Sequence, residues 1–160
     1  MRILGVASAL TWAAPVFASC DTPFMKCTFQ GGAKAVEICL SGSDVSYTFG
    51  RVGNAAELAL SVPVVDVDYL PWPGVGSSIW ETVTFYNDGY SYEVLVGFER
   101  NPENPAHFGG ITITKAGQEL ATLSCDPGSI DWGWGTDLFD AKAAAGLCWD
   151  YGRDADWKPC

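Results

Sequence analysis

The sequence is poor in the residues that build most catalytic and metal centres. It has a single histidine, His107, and no Cys-x2-Cys pair, so a zinc site of ordinary ligand spacing is not expected. It also lacks a nucleophile-elbow pattern, a phosphate-binding glycine loop and a His-x-x-x-His pair. We therefore expect no metal, no cofactor and no catalytic residue, and we interpret His107 as a solvated loop residue.

Basic residues are also scarce. Nine Lys and Arg stand against 19 Asp and Glu, which gives a formal net charge of -10. Nucleic acid and anionic membrane surfaces are therefore poor partners, whereas a basic protein is favoured electrostatically. The same charge also keeps an exported protein soluble.

Long apolar runs are absent beyond the N-terminus. The run Ile3–Ala14 follows a positive start, is too short to cross a bilayer, and is typical of a secretory signal peptide. Ala18 predicts cleavage before Ser19, so residues 1–18 form the signal peptide and the mature chain has no transmembrane segment. Alternatively, the four residues ending at Cys20 resemble a bacterial lipobox, which would anchor the protein through a lipid on Cys20.

The cysteines favour an oxidising compartment. An even number behind an export signal predicts up to three disulfides, in the periplasm or outside the cell, and leaves their pairing open. A lipid on Cys20 would leave an odd number of thiols, which argues against the anchor. The candidates are Cys20, Cys27, Cys39, Cys125, Cys148 and Cys160.

The strongest local signal is the stretch Ser78–Glu99. Two runs of β-branched and aromatic residues flank Asp88-Gly89, which predicts a hairpin with a two-residue turn. In that register one face of the hairpin is apolar except for Glu81. Either a bulged three-residue turn reverses the faces, or Glu81 is a buried carboxylate with a raised pKa and the hairpin's one candidate for function.

Short alternating runs separated by Gly, Pro, Asn and Asp continue along most of the chain. They predict about eight strands, and hence an all-β fold, an antiparallel sandwich or barrel, for a β-domain spanning residues 19–125. After Pro63 the chain is expected to continue in extended form over Val64–Tyr69. The strand that follows the loop Asn101–Gly110 is expected to begin at Ile111.

Residues 126–160 form a Trp- and Asp-rich extension that we expect to pack on the same domain as a disulfide-held tail. Thr136 is a candidate cap for one short helix. A continuing helix would place Leu138, Ala141, Ala145 and Cys148 on one face, consistent with a disulfide to the β-domain. Beyond it the tail is predicted to be irregular.

Several tryptophans lie in Gly- or Pro-rich segments. Trp72, Trp132 and Trp134 are candidates for stacking on sugar rings or for contacting a protein partner, and Trp149 and Trp157 share this setting. The alternative, which we favour, is that these rings cover small disulfide-rich regions.

One segment resembles a known family. Cys39–Tyr47 reads Cys-Leu-Ser-Gly-Ser-Asp-Val-Ser-Tyr and is similar to the loop that bacterial periplasmic lysozyme inhibitors insert into the lysozyme cleft. The resemblance implies that Ser41, Gly42, Ser43 and Tyr47 contact the enzyme. The family's second motif, Tyr followed by Thr-Lys-Gly, is absent.

The layout as a whole is similar to that of uncharacterised exported proteobacterial β-proteins. The likeness rests on Cys39, Tyr47-Thr48-Phe49-Gly50 and Lys115-Ala116-Gly117. It implies fold and location and does not imply an activity.

These observations predict an exported, non-catalytic binding protein, in its sharpest form an inhibitor of a lysozyme-type enzyme. The alternatives are a carbohydrate-binding module that uses exposed tryptophans and a lipid-anchored envelope protein of structural role. The expected partner is a basic protein such as a lysozyme, or a glycan.

Overall fold

The computed structural model describes residue 20 and residues 22–100, 103, 105–133, 135–152 and 155–160. Over these residues the chain forms twelve strands and one helix. In chain order they are β1 (Thr22–Phe29), β2 (Lys34–Ser41), β3 (Asp44–Arg51), β4 (Leu58–Pro63), β5 (Asp68–Leu70), β6 (Ser78–Asn87), β7 (Tyr90–Glu99), β8 (His107–Lys115), β9 (Gln118–Ser124), β10 (Asp131–Trp132), α1 (Thr136–Ala144), β11 (Leu147–Asp150) and β12 (Asp156–Pro159).

The strands form two five-stranded antiparallel sheets and one small hairpin. Sheet 1 has the order β10-β1-β2-β3-β4, sheet 2 has the order β5-β6-β7-β8-β9, and β11 pairs with β12. The sheets are separate rather than closed into one barrel over the described residues. The predicted all-β fold is therefore confirmed in its sandwich form.

One hydrophobic core lies between the two sheets. Tyr47 of sheet 1 shows the packing well, since its ring centroid lies 5.4 Å from that of Phe85 and 5.8 Å from that of Tyr92 in sheet 2. Side chains alternate across each strand, so every second residue enters this layer. Each fully buried aliphatic or aromatic side chain stabilises the fold by about 1.5–3 kcal/mol. Core members with no more than 1% exposure include Met25, Val36, Ile38, Val45, Val83, Val94, Val96 and Ile111.

The central hairpin has the predicted register. Asn87 pairs with Tyr90 across the turn, and the pairing continues without interruption to Ser78 and Glu99. Asp88 and Gly89 both have positive φ, 50° and 77°, as a two-residue turn of the favoured type requires. The bulged alternative is therefore wrong, and Glu81 faces the core.

Two strand boundaries differ from the prediction. β8 begins at His107, so this histidine lies on a strand; it remains exposed, with its ring 5.9 Å from that of Phe98. Residues 64–67 form a turn instead of an extended continuation of β4. There the chain crosses from sheet 1 to sheet 2, and Val64 and Val67 are buried at the crossing.

The C-terminal segment is more regular than predicted. The helix cap is Gly135 rather than Thr136, and α1 ends at Ala144, so Ala145 and Cys148 lie beyond it. Leu138 is buried and Ala141 packs against the core, as predicted, but the predicted face does not continue to Ala145 and Cys148. The other buried residue of the helix is Lys142, one turn after Leu138. The residues after α1 form the β11–β12 hairpin instead of an irregular tail. β10 adds to sheet 1, so this segment packs on the β-sandwich.

All six cysteines are paired, as Cys20–Cys39, Cys27–Cys125 and Cys148–Cys160. The second bond joins β1 of sheet 1 to the end of sheet 2 across 98 residues. The third closes the β11–β12 hairpin, so the expected disulfide from Cys148 to the β-domain is wrong. Three disulfides are typical of an oxidising extracellular or periplasmic location.

The first bond bears on the lipid-anchor alternative. The Cys20 sulfur is bonded to the Cys39 sulfur, and a sulfur in a disulfide cannot also carry a lipid thioether. In the part of the chain that the structure describes, no helix has both the length and the apolar character to cross a membrane.

Candidate functional site

The turn that resembles the inhibitor loop is exposed, but its tyrosine is not. Ser41, Gly42 and Ser43 lie in solvent at the tip of the β2–β3 hairpin, with Gly42 at a φ of +60°. Tyr47 is 1% exposed, because alternation along β3 directs it, like Val45, toward sheet 2. The prediction of Tyr47 as a binding residue is therefore wrong in this conformation. Only the turn is accessible to a partner.

Trp72 and Trp132, two of the predicted binding residues, lie on different elements of the fold. Trp72 is half-buried in the loop before β6, where its indole N–H donates to the Val75 carbonyl oxygen at 3.2 Å and Arg100 lies 5.4 Å from its ring centroid. Trp132 is half-buried on β10, with its ring 5.9 Å from that of Phe98. Trp134 lies outside the described residues. The cavities described below are lined by neither Trp72 nor Trp132.

Glu81 is a buried carboxyl group enclosed by three parts of the chain. Only 4% of the residue is exposed, and Tyr69 of β5 donates its hydroxyl hydrogen to Oε1 at 2.6 Å. The Trp132 indole N–H faces the same carboxyl group, and Gly135 lies against it so closely that a Cβ at position 135 would overlap its oxygens. Glu81 thus joins sheet 2 to the chain before α1.

The electrostatics of this contact fit a structural role. Burial raises the pKa of the Glu81 carboxyl, and the Tyr69 hydrogen bond and the nearby Trp132 indole N–H partly oppose the rise. Burial and the neighbouring Glu81 raise the pKa of Tyr69, so its hydroxyl remains a donor at neutral pH. Because Glu81 is enclosed, we interpret it as a residue that stabilises the fold rather than as an acid that contacts a substrate.

A pocket of about 460 Å³ lies between β5 and the β11–β12 hairpin, and we call it the hairpin pocket. It combines aromatic rings with charged groups, which is the composition expected of a ligand site. Its walls come from three segments that are distant in sequence. The lining residues are Val65, Asp66, Val67, Asp68, Tyr69, Leu70, Lys142, Trp149, Ala155, Asp156 and Trp157.

The aromatic wall of the hairpin pocket is a ladder of rings that starts in the core. Tyr69 is buried and stacks on Trp157 at 6.0 Å, and the Trp157 indole N–H donates to the Tyr69 carbonyl oxygen at 2.8 Å. Trp149 packs on Trp157 at 5.4 Å, and Tyr151 meets Trp149 edge-on at 6.3 Å with 69% exposure. The inner rings are held in place, and the outer ones are accessible.

The charged wall of the pocket is mostly acidic. Asp66, Asp68 and Asp156 are exposed carboxylates, and Lys142 is the one cation among the lining residues. Lys142 is 1% exposed, and its Nζ lies 3.4 Å from the Val65 carbonyl oxygen and 5.4 Å from the Trp157 ring centroid. Burial lowers the pKa of Lys142, and the three aspartates oppose this shift. The accessible polar groups are therefore chiefly hydrogen-bond acceptors.

Reasoning from the sequence singled out Trp149 and Trp157 but did not place them in a site. A usable signal is the mirrored order Cys-Trp-Asp at 148–150 and Asp-Trp-Lys at 156–158. In the hairpin this order pairs Trp149 with Trp157 and Asp150 with Asp156. The contribution of Asp66 and Asp68 had no local signal, because they reach the pocket only through the packing of β5.

A second cavity, of about 320 Å³, opens on the outer side of sheet 1. It is lined mainly by aliphatic and small residues of β1 and β2 together with Val52 and Gly53. It has no aromatic ring in its lining, and its charged residues are Lys26 and Glu37, of which Lys26 already pairs with Asp131 at 3.1 Å. The hairpin pocket is the better candidate because its aromatic and acidic groups converge.

Comparison of the chain with protein-family models, curated proteins and solved structures finds no significant match. The site must therefore be interpreted from its own geometry.

Proposed function

We propose that this chain is an exported, non-catalytic binding protein that recognises carbohydrate in the hairpin pocket. The observation that carries the proposal is the convergence of Trp149 and Trp157 with the carboxylates of Asp66, Asp68 and Asp156. Indole faces pack against the C–H faces of sugar rings, and carboxylates accept hydrogen bonds from sugar hydroxyls. Export is supported by the N-terminal apolar run and by the three disulfides.

The preformed ring ladder supports binding of this kind. Trp157 is fixed by its hydrogen bond to Tyr69 and by the Phe139 ring 5.0 Å away, so little side-chain freedom is lost when a ligand arrives. Trp149 lies farther out, against Trp157, and is the ring that a ligand meets first. The Cys148–Cys160 bond closes the hairpin that carries both rings.

The test is binding to a panel of oligosaccharides, followed by intrinsic tryptophan fluorescence and titration calorimetry. We expect at least one glycan to bind and Trp149→Ala to weaken that binding about tenfold or more, as loss of a stacking ring does at other interfaces. Trp72→Ala is the matched control, because Trp72 is another half-buried indole that lies outside the pocket. Absence of binding across the panel would reject the proposal, as would equal losses in the two variants.

A second candidate, inhibition of a lysozyme-type enzyme, is supported by the exposed Ser41–Ser43 turn and by the net charge of -10. Lysozymes are basic, so the charge favours encounter at low salt. In this second candidate function only the Ser41–Ser43 turn enters the lysozyme cleft, because Tyr47 is buried in the core. Enzyme assays with micromolar protein at low ionic strength test it; full lysozyme activity would reject it, as would inhibition that survives replacement of Ser41 and Ser43 by bulky residues.

A further inference from the structure

The hairpin pocket continues onto the outer face of sheet 2. Asp68 and Leu70 line both the pocket and a neighbouring cavity of about 300 Å³. That cavity in turn shares Tyr86, Ser91 and Thr114 with one of about 380 Å³ at the β6–β7 turn. The three cavities therefore form one continuous depression, which we call the sheet groove.

The floor of the sheet groove is a polar row that crosses the strands. Asp68 pairs with Thr84, Thr84 with Glu93, and Glu93 with Thr112, so their side chains point to the same side of β5, β6, β7 and β8. Strands lie about 4.8 Å apart, so the row is about 14 Å long, which exceeds one sugar ring. The pocket beyond β5 lengthens it further.

The charged groups on the floor of the groove are acidic. Ion pairs on sheet 1 and on the C-terminal hairpin include Lys26–Asp131, Lys34–Glu57, Arg51–Glu57 and Lys158–Asp150. The lining of the 300 Å³ cavity contains two acids, Asp68 and Glu93, together with hydroxyl groups and no Lys or Arg. Over its three cavities the groove is lined by five carboxylates, and Lys142, which is buried, is the only Lys or Arg among its lining residues.

A ring is also available along the groove. Tyr86 is 63% exposed, and its hydroxyl donates to Asp68 Oδ2 at 2.5 Å, which fixes the ring at the edge of the polar row. A ligand chain lying in the groove thus meets aromatic surface at Trp149 and again at Tyr86. Hydroxyl and carboxylate groups lie between the two.

We infer that the sheet groove binds an extended oligosaccharide whose sugars carry free amino groups, running from the hairpin pocket across β5 to β8. This inference rests on the proposed carbohydrate function and adds the length and the charge of the ligand. Protonated amines are the groups that match these carboxylates, and the hydroxyl row suits the remaining polar atoms of the sugars. Anionic glycans are repelled by the same charges.

The experiment titrates the mature protein with glucosamine oligomers of one to six units, with their N-acetylated counterparts, and with uncharged glucose oligomers. We expect affinity to rise at least tenfold from the monosaccharide to the tetramer. We also expect it to fall with N-acetylation and with added salt, which screens exposed charges. Glu93→Gln is expected to weaken tetramer binding several-fold and to leave monosaccharide binding unchanged. Asp44→Asn, an exposed acid on sheet 1, is the control.

The outcomes separate the two claims. If an oligomer binds no more tightly than its single sugar, or if glucose oligomers or N-acetylated oligomers bind as well as the amino sugars, the groove inference is overturned while carbohydrate recognition stands. If none of these sugars and no glycan of the wider panel binds, both fail. A loss with Asp44→Asn equal to that with Glu93→Gln would also overturn the groove.

Discussion

Tyr69 donates its hydroxyl hydrogen to the buried carboxyl group of Glu81 across 2.6 Å, and the same tyrosine stacks on Trp157 at the base of the hairpin pocket. One residue thus connects the enclosed acid of the central hairpin to the ring ladder of the candidate site. A change at Glu81 is expected to reach the pocket through Tyr69. The first three predictions test the contacts and the ionisation of Glu81.

Tyr69→Phe is expected to lower the free energy of unfolding by about 1–3 kcal/mol, because it leaves a buried carboxyl oxygen without its donor and keeps the ring. Urea denaturation measures the loss. Tyr86→Phe is the control: it also removes a tyrosine-to-carboxylate hydrogen bond, but an exposed one, so a change within about 0.5 kcal/mol is expected. Equal losses in the two variants would contradict the role of the buried contact.

The stability contributed by Glu81 should fall as pH rises. Its pKa is raised in the folded state, so the folded protein retains the proton over a range where the unfolded chain has released it. The contribution is complete below the unfolded pKa and is lost as pH rises through the folded one. The stability of the wild type minus that of Glu81→Gln should therefore decrease from pH 4 to pH 8, by at most about 1.4 kcal/mol per pH unit. A difference that is flat or increases with pH would contradict the raised pKa.

Gly135→Ala is expected to destabilise the fold by more than 1 kcal/mol, because the new methyl group meets the Glu81 carboxyl. Gly117→Ala is the control. Gly117 has a φ of +77°, and a Cβ at this position would enter open space, so this variant measures backbone strain alone. In a Glu81→Ala background, Gly135→Ala should destabilise the fold less, because the carboxyl group that the new methyl group would meet is absent. Additive losses in that double-mutant cycle would show that the two residues do not interact.

Replacing Cys148 and Cys160 with serine is expected to weaken ligand binding in the hairpin pocket strongly, because β11 and β12 carry both of its tryptophans. Closing a loop of this length contributes about 3 kcal/mol of stability in the chain-entropy model. We expect the loss of this stability to destabilise mainly the β11–β12 hairpin. Replacing Cys20 and Cys39 opens a bond remote from the pocket and should leave binding intact. Calorimetric titration with a bound glycan distinguishes the two pairs; unchanged binding after loss of Cys148–Cys160 would place the site elsewhere.

The mature protein is expected to begin at Ser19 and to carry no lipid. Because the Cys20 sulfur is engaged with Cys39, intact mass should equal that of the unmodified chain from Ser19 with three disulfides. All six thiols should become alkylated only after reduction. A mass increased by acyl chains, or a thiol that reacts without reduction, would contradict this arrangement.

Much of the sandwich could be predicted from the sequence, because strand alternation and turn chemistry act over a few residues. The Asp88-Gly89 turn determines the pairing of β6 and β7, and that pairing puts Glu81 on the same face as the apolar residues of the hairpin. The prediction of the helix cap was wrong because two neighbouring residues can each occupy the N-cap position. Thr136 is a good cap by residue type, yet Gly135 takes the position, with its backbone against the Glu81 carboxyl.

Local sequence patterns were enough to predict most strands of the two sheets, the Asp88-Gly89 turn and the even number of cysteines. The folded structure was needed to show that Glu81 is buried between Tyr69 and Gly135, that Cys27 bonds to Cys125, and that Asp66 and Asp68 reach the C-terminal tryptophans. The two groups of features differ in how far apart in the sequence the interacting residues lie. Turns and alternation are encoded by neighbours in the chain, whereas these partners meet only when the two sheets and the C-terminal hairpin have packed, and that packing depends on many weak contacts at once.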